Sequence, residues 1–207
     1  MWAMGFLIYF SLGWKGFVIP VLFFVLGSFF TRLGYAKKMA RRAAEKNEGK
    51  RGAREVLAKG LIPTLCAVPL VVGGSSLFLL GYVGAWAAAL CDTSSTELGS
   101  LWGRRTVTLR NLRRTAPGTS GAVSLEGTAA GLVAALILVS TACALKLVPP
   151  SLVIPLACAA LAGSLVESLL GGTVPAAFAL KHEVLNLVDT AIGGGLSMLY
   201  GACFAKP

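Results

Sequence analysis

Two acidic residues stand at the end of an apolar segment. Asp92 and Glu97 lie in the stretch CDTSSTELG, directly after the apolar residues 76–91. They are five residues apart, which on an ideal helix is a rotation of about 140°. Both can reach one ion only if the helix ends or distorts between them. The hydroxyl run at 93–96 is compatible with such a break, because Ser and Thr compete for backbone hydrogen bonds. Carboxylates suit Mg²⁺, which takes one or two of them together with substrate phosphates.

A third acid lies deeper in an apolar segment. Glu167 stands in LAGSLVESLLGGT, within the apolar residues 151–171. An ionisable side chain in a membrane segment is costly and is a functional candidate by default. The alternative for each acid is a carboxylate paired with an arginine or capped by backbone amides, and the residues alone leave it open. We predict that Asp92, Glu97 and Glu167 are metal ligands with a catalytic role at one membrane face.

A glycine-rich turn precedes the next apolar segment. Its sequence is Pro117-Gly118-Thr119-Ser120-Gly121, and we expect an apolar helix to follow it directly. Free N–H groups and the helix dipole make such a place an anion site, so we predict that this turn binds phosphate. It is not a Walker A sequence, because no lysine follows its second glycine. The alternative is a simple helix cap.

Basic residues cluster in two stretches of the chain. The formal net charge is +10, and most of the 19 Lys and Arg lie within residues 32–59 and 104–114. The positive-inside rule for cytoplasmic loops explains most of them, and the functional alternative is contact with an anionic ligand or lipid headgroup. We predict that Arg51 and one or more arginines of the second stretch, Arg104 among them, neutralise phosphate charge. Nucleic acid is not an expected partner, because no aromatic side chains are interleaved with the basic ones.

These residues belong to a chain that is too apolar for a soluble protein. Its composition is 56% hydrophobic and 14% charged, against about 45–50% and about 25% in soluble globular domains. This excludes an ordinary soluble enzyme, a disordered chain and a disulfide scaffold. Apolar segments occur at 1–12, 16–31, 57–72, 76–91, 122–147, 151–171 and 184–204. We predict an all-α fold, a polytopic helical bundle of about six transmembrane segments that forms one domain over residues 1–207.

The segments also predict which parts of the chain meet. Two spans separate the two basic stretches, so both stretches lie on one face, and the turn at 148–150 lies on the other. By the positive-inside rule the basic face is cytoplasmic or its equivalent in an organelle. Gly127 and Gly131 form a Gly-x-x-x-Gly pattern, and residues 193–195 are all glycine. Both patterns predict that neighbouring helices approach closely.

Several stretches resemble a known family when they are taken in order. They are FFVLGSFFTRLGYAKK, EKNEGKRGAREVLAKG, CDTSSTELGSLWG, APGTSGAVSLEGTAAG, LAGSLVESLLGGT and EVLNLV. Together they resemble the phytyl-phosphate kinase family of plants, algae and cyanobacteria, which has uncharacterised bacterial, archaeal and animal relatives. The resemblance covers most of the chain, from residue 14 to residue 200. Members usually carry further N-terminal spans, so we expect the segment before Trp14 to be truncated.

The resemblance implies an activity and its partners. The family transfers a phosphoryl group from a nucleoside triphosphate to phytyl monophosphate or a similar isoprenyl phosphate. The diphosphate feeds tocopherol (vitamin E) and phylloquinone synthesis. CTP is a candidate donor, because the family more distantly resembles CTP-dependent kinases, and Mg²⁺ is the expected cofactor. The protein is then expected in a chloroplast membrane in a plant or alga, and otherwise in a prokaryotic cytoplasmic or thylakoid membrane.

The resemblance also implies roles for individual residues. It adds Ser95, Ser124 and Asn186 to the phosphate-binding set that begins with the glycine-rich turn. The other positions that match the family's motifs are Arg51, Asp92, Glu97, Gly118, Thr119, Gly121 and Glu167.

Two other functions stay open from the sequence. A related kinase would phosphorylate the free alcohol, phytol or a polyprenol. A transporter without chemistry would use Glu167 and Asp189 as a proton or ion path. The second is disfavoured because the sequence shows no paired inverted repeats, which are common in transporters.

Overall fold

The fold is a bundle of long apolar helices. The computed structural model describes residues 2–41, 53–173 and 181–204. Within these ranges, six helical segments are long and apolar enough to cross a membrane, which confirms the predicted all-α membrane bundle. The helices are α1 (Trp2–Arg32), α2 (Tyr35–Ala40), α3 (Ala53–Ala67), α4 (Ser76–Trp102), α5 (Leu125–Ala144), α6 (Val153–Gly171) and α7 (Lys181–Phe204). Short 3-10 turns at Val68–Val72 and Pro150–Leu152 follow α3 and precede α6.

α1 is broken at the place where the sequence predicts a boundary between two apolar segments. Residues 1–12 and 16–31 were expected as separate segments, and the range Trp2–Arg32 is interrupted between them by a non-helical residue. Gly13 interrupts it with φ 63° and ψ −163°, a backbone conformation that a residue without Cβ adopts readily. The two predicted segments are therefore the two helical pieces on either side of Gly13.

The centre of the bundle is α4. Some 78% of its most apolar stretch is buried, against 22% to 39% in the other membrane-length helices. It contacts α1, α3, α5, α6 and α7. A Cβ added at Gly131 would lie 1.9 Å from Ser95 Oγ, and one added at Gly193 would lie 2.5 Å from Ala88 Cβ. The close approach predicted from both glycine patterns is confirmed, and in both cases the neighbour is α4.

The basic segments meet at one end of the bundle, as predicted. Arg41, just after α2, donates hydrogen bonds to the carbonyl oxygens of Ser100 and Leu101 at the end of α4, at 3.1 and 3.2 Å. Ser120, in the glycine-rich turn, donates to the carbonyl oxygen of Gly171 at the end of α6, at 2.9 Å. The ends of α4 and α6 therefore share a face with both basic stretches.

A small hairpin was not expected from the sequence. Strands β1 (Thr106–Thr108) and β2 (Ala122–Ser124) pair antiparallel, with Thr106 opposite Ser124. The glycine-rich turn was expected to lead directly into an apolar helix, and this is wrong because β2 lies between them. Ser124 is the N-cap of α5, and its Oγ accepts a hydrogen bond from the N–H of Gly127 at 3.1 Å.

Candidate functional site

A polar cavity of about 480 Å³ opens at the basic end of the bundle. Its walls come from α3, α4, the hairpin, α6 and α7. It brings together most of the residues that the sequence analysis proposed for the site. Those in its lining are Asp92, Ser95, Glu97, Gly118, Thr119, Ser120, Gly121, Ser124, Glu167 and Asn186.

The two proposed arginines stand apart from this set. Arg104 follows α4 and is exposed, and the structure does not bring it into the lining of the cavity. Arg51 lies outside the described residues. Their proposed contact with phosphate therefore stays a prediction.

Asp92 is held by a lysine from the neighbouring helix α3. Lys59 Nζ donates to Asp92 Oδ2 at 2.9 Å and to Thr93 Oγ1 at 2.7 Å. Both side chains of the ion pair are largely buried, and both residues line the cavity. A buried charge is tolerated when it is paired and hydrogen-bonded, so α3 and α4 are joined by this contact at the floor of the cavity.

Glu97 is held by a different lysine. Lys38 Nζ, on α2, donates to Glu97 Oε2 at 2.6 Å and to the carbonyl oxygens of Phe30 and Thr31 at 2.9 and 2.7 Å. The ammonium group has three donors, and these acceptors match them. Lys38 is 0% exposed, so the pair ties the end of α1 and the whole of α2 to α4.

Helix α4 does not break between Asp92 and Glu97, although the hydroxyl residues there would be compatible with a break. The helix runs continuously from Ser76 to Trp102 through the hydroxyl residues at 93–96. Asp92 and Glu97 therefore turn to different neighbours, and each meets its own lysine. The alternative of a paired carboxylate is the one that the structure contains, with lysine in place of the arginine that was considered.

The glycine-rich turn offers unpaired N–H groups to the cavity. Gly118 and Gly121 have φ values of 84° and 76°. Hydrogen bonds from the N–H of Thr119 to Ala116 O and from the N–H of Ala122 to Thr119 O shape the turn. The N–H groups of Gly118, Ser120 and Gly121 donate no hydrogen bond to any residue that the structure describes. Adjacent free N–H groups of this kind form an anion-binding concavity.

The acids of the cavity can bind a metal ion only if other ligands complete its coordination. Among the residues described, no three of His, Cys, Asp and Glu are grouped so that they could hold a metal ion. The ion pairs occupy one oxygen each, Asp92 Oδ2 and Glu97 Oε2. Mg²⁺ commonly uses one or two carboxylates with phosphates and waters, so the donor set suits a metal that arrives with phosphate. The assignment of Asp92, Glu97 and Glu167 as ligands stays a prediction.

Sequence reasoning missed two residues near this site, and it named a third, Asp189, only in the transporter alternative. Lys38 and Lys59 were counted only as members of a basic stretch. Asp189 was not placed in the phosphate site, although it is 0% exposed and neither of its carboxylate oxygens has a hydrogen-bond partner among the described residues. An acid inside the apolar segment 184–204 was the available signal.

Comparisons with known proteins identify the family. The profile of the family described as "Integral membrane protein DUF92" matches residues 1–195. The chain belongs to this family of integral membrane proteins. No solved structure matches the chain significantly.

Curated relatives come from a plant, a cyanobacterium and an archaeon. An uncharacterised membrane protein of Synechocystis is 34% identical over 95% of this chain and 78% of its own length. The protein named "Protein VTE6, chloroplastic" of Arabidopsis thaliana is 32% identical over 95% of this chain and 61% of its own length. An uncharacterised membrane protein of Methanocaldococcus jannaschii is 34% identical over 95% of this chain and 80% of its own. These matches confirm the resemblance drawn from the motifs and the integral membrane localisation.

Proposed function

We propose that the protein is an integral membrane kinase. It transfers a phosphoryl group from a nucleoside triphosphate, with CTP as the first candidate, to phytyl monophosphate or a similar isoprenyl phosphate. The observation that carries the proposal is the cavity at the basic end of the bundle, whose lining combines acids with a glycine-rich turn. Three N–H groups of that turn donate no hydrogen bond to any residue that the structure describes. The shared family with the chloroplast protein VTE6 supports the choice of an isoprenyl acceptor.

The proposed reaction requires the protein mainly to position the two substrates and to neutralise the charge of their phosphates. The acceptor is already an oxyanion, so its attack needs no strong general base. Phosphoryl transfer is catalysed mainly by alignment of the reactants and neutralisation of the charge on the phosphates. A cavity that is polar at the membrane face and walled by apolar helices suits a substrate with a phosphate head and an isoprenyl tail. We place the tail between helices.

The glycine-rich turn is proposed to bind the phosphates of the donor. The N–H groups of Gly118, Ser120 and Gly121 are proposed to donate hydrogen bonds to phosphate oxygens, since none of them donates to a residue that the structure describes. Ser95 Oγ is buried and has no hydrogen-bond partner among the described residues. It is therefore available as a further donor, and Asn186 lines the same cavity.

The acids are proposed to hold Mg²⁺ together with those phosphates. Asp92 and Glu167 line the cavity on α4 and α6. Glu97 also lines it, but it lies about 140° round the unbroken helix α4 from Asp92, so these two acids are not proposed to reach the same ion. The metal, when bound, supplies positive charge beside the transferring group. Lys59 lies at the same place and adds a further positive charge. Arg51 and Arg104 are proposed to neutralise the outer phosphates.

An assay with several acceptors, called the acceptor panel below, tests this proposal. The purified chain in lipid nanodiscs, with Mg²⁺ and each nucleoside triphosphate in turn, is offered phytyl monophosphate, geranylgeranyl monophosphate and phytol. Mass spectrometry is expected to find the diphosphate from a monophosphate. Phosphorylation of phytol alone would instead support the kinase of the free alcohol. Proton-coupled flux in proteoliposomes that is unaffected by nucleotide, with no product from any acceptor, would support a transporter.

A further inference from the structure

A short loop follows strand β1 at the basic end of the bundle. It comprises residues 109–112, and we call it the tip loop. The chain returns from it beside β1, where the N–H of Thr108 donates to Arg113 O and the N–H of Thr115 donates to Thr106 O, both at 3.0 Å. The tip loop is therefore held at both ends by hydrogen bonds between extended segments.

Leu112 occupies the tip loop in a way that costs stability. Its side chain is 72% exposed, and its φ of 53° lies in the left-handed region, which residues other than Gly, Asn and Asp rarely adopt. Local bonds maintain this conformation: the N–H of Leu112 donates to Thr108 O at 2.8 Å, and Asn111 Oδ1 accepts from the N–H of Arg113 at 3.1 Å. The fold therefore presents an apolar side chain to its surroundings at the very place where a small polar residue would fit better.

The tip loop lies beside the end of a membrane-length helix. A Cβ built on Gly172, the residue directly after α6, would lie 3.9 Å from Arg110 Cβ. Leu169, near the end of the same helix, is exposed, as expected for a lipid-facing side chain of a segment that is apolar enough to cross a membrane. The end of such a helix marks the depth at which the lipid headgroups begin. The tip loop is therefore at headgroup depth.

The arginines around the tip loop have no acidic partner. Within the part of the chain that the structure describes, the ion pairs are those of Lys38 and Lys59, and no arginine takes part in one. A guanidinium group suits phosphate, because it can donate two parallel hydrogen bonds to it. Arg110 and Arg113 are exposed and lie outside the cavity lining. Phosphate that meets these two arginines therefore belongs to something other than a ligand of the cavity. The exposed arginines of this stretch are Arg104, Arg105, Arg110, Arg113 and Arg114.

We propose that the tip loop binds anionic phospholipid at the basic face of the membrane. Leu112 enters the layer beneath the headgroups, and Arg110 and Arg113 bind headgroup phosphates on either side of it. An apolar side chain flanked by cations is typical of segments that lie in the membrane interface. Unpaired cations at this depth favour lipids with a net negative charge over zwitterionic ones. The contact also removes the apolar surface of Leu112 from water.

Photocrosslinking in nanodiscs tests the inference. The full chain carries p-benzoylphenylalanine in place of Leu112, in nanodiscs with equal amounts of phosphatidylglycerol and phosphatidylcholine that have the same acyl chains. Mass spectrometry of the irradiated protein identifies the attached lipid. We expect at least about threefold more phosphatidylglycerol than phosphatidylcholine adduct. The same amino acid in place of Ser151, exposed beside the turn on the opposite face, gives the reference ratio.

Two double variants separate the tip loop from the general charge of the basic face. Arg110→Gln with Arg113→Gln is expected to lower the lipid ratio at position 112 to the reference value. Arg32→Gln with Lys37→Gln removes the same charge from exposed positions at the same end of the bundle, and it should leave the ratio unchanged. All four positions are on the surface, so both double variants are expected to fold as the wild type does.

The outcomes that would overturn the inference are distinct. No lipid adduct at position 112, in a preparation that crosslinks at position 151, would show that the tip loop points away from the bilayer. Equal adducts of the two lipids, or an equal loss of preference in both double variants, would show that the loop selects no anionic lipid. If the chain with p-benzoylphenylalanine does not fold, native mass spectrometry of the other variants decides. Less phosphatidylglycerol retained by Arg110→Gln with Arg113→Gln than by the control supports the inference, and equal amounts overturn it. The acceptor panel tests the kinase separately, so the two proposals can fail independently.

Discussion

Lys38 and Lys59 hold their carboxylates in different ways. Lys38 has three acceptors that match its three donors and lies outside the cavity lining. Lys59 shares a cavity wall with Asp92. Lys38 therefore serves mainly to fix α1 and α2 against α4, whereas both residues of the Lys59 pair lie where a ligand can reach them.

The Lys38 pair gives a prediction at the scale of the residue. Lys38→Met leaves Glu97 buried and unpaired, so it is expected to lower the free energy of unfolding by about 3–5 kcal/mol. Lys37→Met, the neighbouring and exposed lysine on the same helix, is the control and should stay near wild type. Thermal unfolding in detergent measures both. Equal midpoints for the two variants would show that the Lys38 pair does not stabilise the bundle.

The sequence predicted the acids but not their partners. Asp92 and Glu97 stood out because a charge at a membrane segment is costly. Lys59 and Lys38 are 33 and 59 residues away along the chain, in a stretch with many basic residues. Nothing in that stretch distinguishes a buried lysine from a solvated one before the helices are packed. The burial of Asp189 was no easier to predict, because it depends on which helices pack around it.

Among the elements, the α4–α5 contact depends on two glycines. Gly127 and Gly131 bring α5 so close that an added Cβ would meet Ser95 and its neighbours on α4. Ser95 lines the cavity, so the spacing of these helices also sets the width of the site. The predicted Gly-x-x-x-Gly packing is therefore linked to the proposed function.

Two glycine substitutions test the contact between α4 and α5. Gly131→Ala places Cβ 1.9 Å from Ser95 Oγ and is expected to cost about 1–3 kcal/mol through overpacking, with a loss of phosphate binding. Gly195→Ala is the control, since nothing lies within 4 Å of its added Cβ, and it should keep or slightly raise stability. Unfolding midpoints measure the difference. A Gly131→Ala variant as stable as Gly195→Ala would contradict the close packing.

The β-hairpin could not be predicted from the local sequence pattern. Strands of three residues are too short to show the alternation of a β-strand. The motif around the glycine-rich turn was recognised from its residue types, but its relation to α5 was not. The hydrogen bond from Ser120 to the end of α6 is a long-range contact that no local pattern indicates.

At the scale of the whole molecule, composition and charge position predicted most of the architecture. Apolar length predicted the spans, and the basic stretches predicted that two loops lie on one face. The structure adds why that face matters, because the cavity and both buried lysine pairs lie there. The boundary between the segments 1–12 and 16–31 was also predicted, and the structure places it at Gly13.

Membrane orientation is open to direct measurement. In a cysteine-free background, single cysteines replace Leu112, exposed in the hairpin loop, and Ser151, exposed beside the turn between α5 and α6. A membrane-impermeant maleimide added from outside intact cells should label the Ser151 site and leave the Leu112 site unlabelled until the cells are opened. Labelling of both sites from one side would contradict the topology.

The proposed reaction in this cavity is transfer of a phosphoryl group from a nucleoside triphosphate to an isoprenyl monophosphate. The most direct measurement is the rate of phytyl diphosphate formation by the wild type and by Asp92→Asn, with Mg²⁺ and the best donor nucleotide. We expect the wild type to form product and the rate of Asp92→Asn to be lower by about a hundredfold or more. The rate of Glu126→Gln, which changes a carboxylate outside the cavity lining, should equal that of the wild type. No diphosphate from any donor, or an undiminished rate in Asp92→Asn that folds normally, would contradict it.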